Sequence, residues 1–281
     1  MTQKKEMSLL YSNTALLWTA AMEQSGSTPS IRKQSDYWNS MVDSYEEDAQ
    51  VHKEKANFCV EKLLSSGILN NRSSLLEVGP ATGDLALMLS RHIPNITCCD
   101  ISENMLTKLK QKCEYVGINN IDTICQNFME IKNKKFDIAG ACYVPSTFNE
   151  KGLFKLVELG KSGGFLMCSC EGISKGSTVY RELGLLLFEK DQTLKNDIIY
   201  PFNLLYAKGL FPEIFYYRKS SSVSWDEKTA ISKLKAYFEN SVGLPDNNDQ
   251  IITDYVKSNI HDGSLIMESD SVSALIIWRC K

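Results

Sequence analysis

The sequence predicts an α/β fold built on a doubly wound, mostly parallel sheet of seven strands. Short β-like runs alternate with helical runs from residue 75 to residue 170. Parallel neighbours need crossover connections, and helices at this spacing supply them on both faces of the sheet. The first strand also ends in a turn of small residues that runs directly into a helix, which is typical of such folds.

The N-terminal part is predicted to be helical. Residues 1–35 form a helical appendage and a linker, and Leu9, Leu16, Leu17 and Met22 can share one face of the first helix. Residues 25–30 have the Ser, Gly and Pro content of a linker. A second helical region begins near Tyr37 and ends at Gly67, with apolar residues at helical spacing: Ala56, Val60, Leu63 and Leu64.

The remaining elements follow in order. The predicted strands are residues 75–78, 96–99, 121–125, 136–142, 165–170, 213–219 and 273–278, and the helices between them are 85–90, 104–116, 152–159 and 226–239. Further helical signals lie between residues 178 and 209. Residues 36–281 therefore read as one domain, with a helical insertion at about 171–212 that resembles a cap.

Composition limits the function classes. The 281 residues include 31 Lys and Arg against 34 Asp and Glu, a net charge of −3, with 43% hydrophobic and 23% charged residues. Such values are typical of a globular protein and disfavour binding to nucleic acid mainly through its phosphates. Nine cysteines in a chain of this length do not indicate a disulfide framework. No run reaches the apolar length of a membrane span, so we expect a cytoplasmic protein that does not bind membranes.

Two features at neighbouring strand ends point to a nucleoside ligand. The turn after the first strand contains Gly79, Ala81 and Gly83 and leads into a helix N-terminus. The next strand ends in Asp100, whose carboxylate can accept hydrogen bonds from both ribose hydroxyls. Taken singly, each feature has a structural explanation, since the turn can be a tight connection and Asp100 can cap the following helix.

Dinucleotides and S-adenosylmethionine (SAM) both contain a nucleoside. The dinucleotide fingerprint needs a third glycine where this chain has Asp84, whose charge would repel a pyrophosphate, so NAD and FAD are disfavoured. The run from Leu75 to Leu85 resembles motif I of the class I SAM-dependent methyltransferases, which have a Rossmann-like fold. The runs at 100–106, 126–128 and 136–138 resemble that family's later motifs.

The resemblance extends over residues 36–281, and the chain looks like bacterial small-molecule members of an uncharacterised subgroup. Two positions depart from the family pattern: Ala81 replaces the middle glycine of motif I, and Val42 replaces an alanine in the helix that carries Trp38 and Tyr45. Alanine is the smallest substitute for glycine, so we expect cofactor binding to be retained.

The resemblance implies roles for individual residues. Glu77 faces the positive end of SAM, and Gly79, Ala81 and Gly83 form a backbone cradle. Asp100 holds the ribose. The adenine is flanked by Ile101 and Met105 and contacted at its edge by Asn127 and Phe128, and Tyr45 completes the set of cofactor-contacting residues. The product is S-adenosylhomocysteine (SAH).

The resemblance also implies an acceptor wall, although it names no acceptor. The candidates are Tyr37, Trp38, Tyr143, Tyr200, Asn203 and Tyr206. For the aromatic run at 200–206, a helix packed under the sheet is an equally good explanation. Methylation of bases or glutamine amides is disfavoured because the chain has Cys142-Tyr143-Val144-Pro145 after the fourth strand. No carboxylate cluster suggests a Mg²⁺ site, and no metal is expected.

Cysteine and histidine offer weaker candidates. Cys98-Cys99 and the pair Cys168 and Cys170 can in principle bind a soft metal, but they lie on predicted central strands, where cysteine behaves as a small apolar residue. Adjacent strand residues also point to opposite faces. His52 is expected to be a solvated residue on a charged helix, and no histidine stands out as a catalytic base.

The leading hypothesis is therefore an enzyme, monomeric or dimeric, that transfers the methyl group of SAM to a small organic acceptor by in-line displacement. An enzyme of the same fold that methylates RNA or protein is one alternative. The other is a module that binds a nucleoside ligand without catalysing a reaction.

Overall fold

The computed structural model describes residues 2–24, 31–132, 136–170, 178–188, 197–241 and 249–280. The linker predicted at 25–30 and parts of the insertion predicted at about 171–212 lie outside the described residues. Everything below refers to the described part of the chain.

The strands form one seven-stranded sheet in the order β3-β2-β1-β4-β5-β7-β6. The first five strands pair in parallel, whereas β7 runs antiparallel to both β5 and β6. The doubly wound, mostly parallel fold that the sequence predicts is thus confirmed. The strand bounds are Ser74–Val78 (β1), Asn95–Asp100 (β2), Ile121–Cys125 (β3), Phe136–Cys142 (β4), Gly160–Ser169 (β5), Glu213–Asp226 (β6) and Ser264–Arg279 (β7).

Helices cover both faces of this sheet. The second predicted helical region, from near Tyr37 to Gly67, is divided into three helices. The helix at Asp249–Asn259 was not predicted because seven of its eleven residues are polar or charged. The helix bounds are Thr2–Gln24 (α1), Ile31–Ser40 (α2), Val42–Glu47 (α3), Ala49–Ser65 (α4), Asp84–Leu89 (α5), Glu103–Val116 (α6), Glu150–Leu159 (α7), Thr178–Phe188 (α8), Ile199–Ala207 (α9), Glu227–Ser241 (α10) and Asp249–Asn259 (α11).

Strand alternation divides the core into two clusters. On β1, Leu75 packs with residues of α4, α5 and α6, whereas Leu76 packs with residues of α1, α7 and α9. The neighbouring cysteines on β2 follow the same rule, since Cys98 belongs to the first of these clusters and Cys99 to the second. The prediction that adjacent strand cysteines face opposite sides is therefore confirmed.

The last two strands are longer than predicted. β6 continues to Asp226, past the run Ser220-Ser221-Ser222, which has no apolar alternation and from which the sequence indicated no strand. The extended pair β6–β7 carries a third apolar cluster, to which α8, α10 and α11 contribute residues such as Leu183, Leu234 and Val256. Tertiary pairing along 14 residues of each strand overrides the weak local pattern here.

The first helix buries a different face from the one predicted. Leu9, Leu16 and Leu17 are 53–68% exposed, whereas Trp18 is 1% exposed. The ring of Trp18 stacks on Tyr200 of α9, with centroids 5.7 Å apart. A helix buries the face that fits its neighbour, and the large indole ring fills the space beside α9. Of the four predicted residues, Met22 alone packs against this core cluster.

No helix within the described residues combines the length and the apolar character that crossing a bilayer requires.

Replacing Trp18 by alanine tests whether α1 contributes to the core. We expect Trp18→Ala to lower the free energy of unfolding by about 3 to 5 kcal/mol, because it removes a fully buried indole and leaves a cavity. Leu16→Ala, on the exposed face of the same helix, should change it by no more than about 0.5 kcal/mol. Urea unfolding followed by circular dichroism measures both values. Equal effects of the two substitutions would contradict this packing role.

Candidate functional site

A cavity of about 380 Å³ lies at the carboxyl ends of the parallel strands. Its floor is formed by the ends of β1, β2 and β4, and residues of α2, α3 and α4 line its other side. Ligands of open α/β sheets bind at this edge, where the strand order reverses on either side of β1. The cavity is therefore the candidate site.

The turn after β1 brings backbone to the cavity. Gly79 has φ +64°, and a Cβ at this position would lie 2.4 Å from Val144 Cγ2, so no larger residue fits without a shift. Ala81 also has a positive φ, +48°, which is uncommon for a residue with a side chain. Both residues line the cavity. Strain retained at such a turn is typical of a backbone shaped for a ligand.

Gly83 has a different position from the other two members of the predicted cradle. It precedes α5 with φ +92°, and a Cβ there would lie 2.1 Å from Leu109 Cδ1. Gly83 is not among the residues that line the cavity. The structure thus gives this glycine a packing role, in which it lets α6 approach the start of α5.

Three carboxyl groups line the same part of the cavity. Glu77 is 3% exposed. Among the residues that the structure describes, none is a hydrogen-bond partner of its Oε2 atom or of the buried Oδ2 atom of Asp84. Burial raises the pKa of Glu77 to about 8, and the charges of Asp84 and Asp100 add to this shift. Burial also raises the pKa of Asp84 and that of Asp100. Unpartnered buried carboxyl oxygens of this kind favour a ligand that carries positive charge.

Asp100 ends β2 and faces the cavity. Its Oδ1 atom accepts a hydrogen bond from the backbone N–H of Ser102 at 2.9 Å, and the carboxylate also accepts from the N–H groups of Ala81 and Ile101. These contacts fix the carboxylate between the turn after β1 and the start of α6. The other predicted cofactor residues beside it, Ile101, Met105, Asn127 and Phe128, all line the cavity.

Two short helices cover the cavity and are tied to the loops below. On α2, Asn39 Oδ1 accepts hydrogen bonds from Ser102 Oγ at 2.8 Å and from the Asn104 N–H at 3.1 Å. Ser35 Oγ donates to the Ile101 carbonyl at 2.9 Å. On α3, Glu46 accepts from Thr82 Oγ1 at 2.6 Å and pairs with Lys112. The cover is therefore anchored to both ligand-facing loops.

His52 is half-buried and lines the cavity, so it is not the fully solvated surface histidine that the sequence predicted. Its ring stacks on that of Tyr45 with centroids 3.8 Å apart and an angle of 3° between the planes. Burial lowers the pKa of His52 and raises that of Tyr45. The sequence carried a signal for this placement, because His52, Ala56 and Cys59 recur at helical spacing and all line the cavity.

The acceptor candidates divide into two groups. Trp38 and Tyr143 line the cavity. Tyr37 does not, and packs its ring against the edge of Trp38 with centroids 5.1 Å apart. Tyr200, Asn203 and Tyr206 also lie outside the cavity lining, because α9 packs against α1 on one face of the sheet. Of the two explanations offered for the aromatic run at 200–206, the structure thus favours a helix packed under the sheet over a wall of the cavity.

Among the described residues, three cysteines line the cavity: Cys59, Cys99 and Cys142. The sequence analysis considered only Cys99 of these as a possible metal ligand. Cys59 Sγ lies 3.2 Å from Met167 Sδ. A hydrogen bond with Cys59, together with burial, holds the pKa of Cys142 well above its usual range. Within the described ranges, no three His, Cys, Asp or Glu residues are grouped so that they could hold a metal ion.

Comparison with known proteins identifies one stretch of the chain. Residues 75–164 match the family model described as a methyltransferase domain. This stretch includes β1 to β4, α5, α6 and the turn that lines the cavity floor.

Solved structures share the fold at low sequence identity. A methyltransferase candidate from Bacillus halodurans C-125 is 14% identical, with 78% of this chain and 97% of that chain covered and a TM-score of 0.53. Magnesium protoporphyrin IX methyltransferase from Synechocystis PCC 6803, crystallised with SAM, is 16% identical, with 87% and 98% covered and a TM-score of 0.50. The cyclase SpnF is 16% identical, with 90% and 98% covered and a TM-score of 0.52.

The raised pKa of Glu77 predicts a pH-dependent loss of stability. Between pH 4.5 and about pH 8 the unfolded chain releases the Glu77 proton while the folded chain keeps it, so the free energy of unfolding falls as pH rises. Glu77→Gln has the same shape and no charge. We expect the variant to gain stability relative to the natural chain across this window, by at most about 5 kcal/mol.

Urea unfolding at pH 4.5, 6, 7 and 8.5 measures this difference. Glu114→Gln is the matched control, since Glu114 is exposed on α6 and its replacement should give a flat profile. A difference between Glu77→Gln and the natural chain that does not change with pH would show that the buried carboxyl is already ionised.

Proposed function

We propose that the chain is a class I SAM-dependent methyltransferase that transfers the methyl group of SAM to a small organic acceptor. The match of residues 75–164 to the model of a methyltransferase domain supports this proposal. The observation that carries the proposal is the cavity at the strand ends, which combines an exposed backbone turn, a carboxylate at the end of β2 and unpartnered buried carboxyl oxygens. Such a site suits a nucleoside that carries positive charge.

The residues of the cavity fit SAM group by group. Asp100 would accept hydrogen bonds from the ribose hydroxyls, with Ile101 and Met105 flanking the adenine and Asn127 and Phe128 at its edge. Glu77 would face the positively charged end. The backbone of Gly79 and Ala81 would pass close to the ligand, since neither carries a large side chain, and Tyr45 would close the site from α3.

The reaction makes modest chemical demands on the protein. When bound, SAM supplies a methyl group already activated by the sulfonium. The chain contributes alignment and exclusion of water, through the anchored cover formed by α2 and α3 and apolar walls such as Trp38 and Val144. An acceptor that arrives protonated needs a base, and His52 is the candidate because it lines the cavity and burial lowers its pKa.

A small acceptor is favoured over RNA or protein by the covered position of the cavity. Its lining is largely apolar, and the net charge of −3 gives no general attraction for nucleic acid. The neighbour named as a cyclase indicates that this fold alone does not specify the reaction, so transfer itself must be measured.

Ligand binding and label transfer together test the proposed function. At 100 times its dissociation constant, SAH should raise the melting temperature by about 5 °C, because a ligand that binds the native state stabilises it. NAD should have no effect. With SAM labelled in its methyl group and an extract of small metabolites, label should appear in a low-mass product.

Each alternative has its own outcome in this assay. Label in acid-precipitable material would identify a macromolecular acceptor. Binding of SAH without transfer to either fraction would identify a non-catalytic module, and stabilisation by NAD but not by SAH would overturn SAM as the ligand.

The ribose role is tested by substitution of Asp100. We expect Asp100→Ala to weaken SAH binding about 100-fold, since two charge-assisted hydrogen bonds are lost. Asp122→Ala is the control, because Asp122 is exposed on the adjacent strand β3. Isothermal titration calorimetry measures affinity, and circular dichroism checks that both variants are folded. Unchanged affinity in the Asp100 variant would exclude the ribose contact.

A further inference from the structure

The cavity has a second charged region, away from its three carboxyl groups. Lys55 of α4 is half-buried and lines the cavity together with Cys59, Cys142 and Met167. These neighbours lie at α4 and at strands β4 and β5, whereas Asp100 and Asn127 lie at strands β2 and β3. Because β1 separates the two groups in the sheet order, Lys55 lies across the cavity from the proposed nucleoside region.

Other lysines around the site have carboxylate partners. Lys112 pairs with Glu46 and lies 3.9 Å from Asp84, and Lys219 pairs with Glu54. Lys55, by contrast, has no ion pair with any of the residues that the structure describes. The charged and titratable groups that interact with it are Lys219, Cys142, Cys59 and His52, and none of them is a carboxylate. Burial therefore lowers the pKa of Lys55, with the charge of Lys219 adding to the effect.

The contact that Lys55 does make is with an aromatic ring. Its Nζ atom lies 4.5 Å from the ring centroid of Tyr143. An ammonium group over an aromatic face is attracted to it, but the ring does not neutralise the charge. The ammonium keeps its N–H donors available to a ligand that enters the cavity.

Tyr143 is held so that its ring position is fixed. Its φ of +56° is uncommon for an aromatic residue, and such strain persists only where surrounding contacts impose it. Those contacts are present: the Tyr143 N–H donates to the Met167 carbonyl at 2.9 Å, and the hydroxyl donates to Ser273 Oγ. The ring is thus a rigid support beneath the Lys55 ammonium.

We propose that Lys55, supported by Tyr143, recognises a carboxylate on the acceptor, so that the substrates of this enzyme are small organic acids. This inference rests on the proposed function, because it takes the region beside the nucleoside as the acceptor region. The methionine part of SAM also carries a carboxylate, and the two sources of that group are separated by the experiment.

The experiment compares acids with their uncharged amides on protein saturated with SAH. The probes are benzoate and benzamide, phenylacetate and phenylacetamide, and hexanoate and hexanamide. We expect at least one acid to bind about tenfold more tightly than its amide to the natural chain, as a charge-assisted hydrogen bond predicts. Lys55→Met should abolish this preference, and Lys55→Arg should retain part of it. Isothermal titration calorimetry measures each affinity.

Lys53→Met is the matched control, since Lys53 is exposed on the same helix and does not line the cavity. It should keep the full preference for the acid. Melting temperatures without ligand check that both methionine variants fold, and removal of a half-buried unpaired ammonium is not expected to lower stability.

Four results overturn the inference. The first two concern the natural chain: no acid binds more tightly than its amide, or no acid binds at all. The third is a preference for the acid that survives Lys55→Met. The fourth is a tenfold loss of SAH affinity in Lys55→Met, which would assign Lys55 to the SAM carboxylate. Failure of the natural chain to bind SAH is a different result, because it overturns the proposed function first and this inference with it.

Discussion

The burial of the Glu77 carboxyl at the end of a central parallel strand is the constraint on which the site depends. β1 has a parallel neighbour on each side and helices pack on both faces of the sheet, so the side chain at position 77 cannot reach water without disrupting this packing. The Glu77 residue is 3% exposed, one carboxyl oxygen has no partner among the described residues, and Asp84 and Asp100 lie nearby. Without a cation the group is most stable when protonated, and a positively charged ligand removes that restriction.

The turn that follows β1 meets two structural requirements at once. It must bring backbone close to the cavity at Gly79 and Ala81, and it must also start α5 tightly enough for α6 to pack against it at Gly83. The same turn is held from above, since Thr82 donates to Glu46 of α3. Cofactor floor and cover are thus parts of one connected set of contacts.

Charge is distributed unevenly across the cavity. Carboxyl groups lie at β1 and β2, while Lys55 and His52 approach from α4. An ammonium and a carboxyl group kept apart in one cavity do not cancel each other's charge, so each can be complemented by part of a ligand. This arrangement suits a cationic donor next to an anionic acceptor. Electrostatic orientation of this kind aligns the reacting groups, which is the main requirement of an in-line transfer.

The sequence by itself determined the sheet, its parallel strands and the small-residue turn with Asp100 at the next strand end. These features have local signals, namely hydrophobic period, strand and helix length and residue size. The tertiary structure decided which side chains meet. Trp18 and not Leu16 is buried because α9 lies beside that face, and Tyr200 is withdrawn from the cavity for the same reason. His52 and Lys55 join the site because α4 crosses the strand ends. Helical spacing puts His52 on one face with Ala56 and Cys59, but it does not specify what that face meets. Segments such as α1, α4 and α9 are distant in sequence, and which of their side chains meet depends on how the whole fold packs.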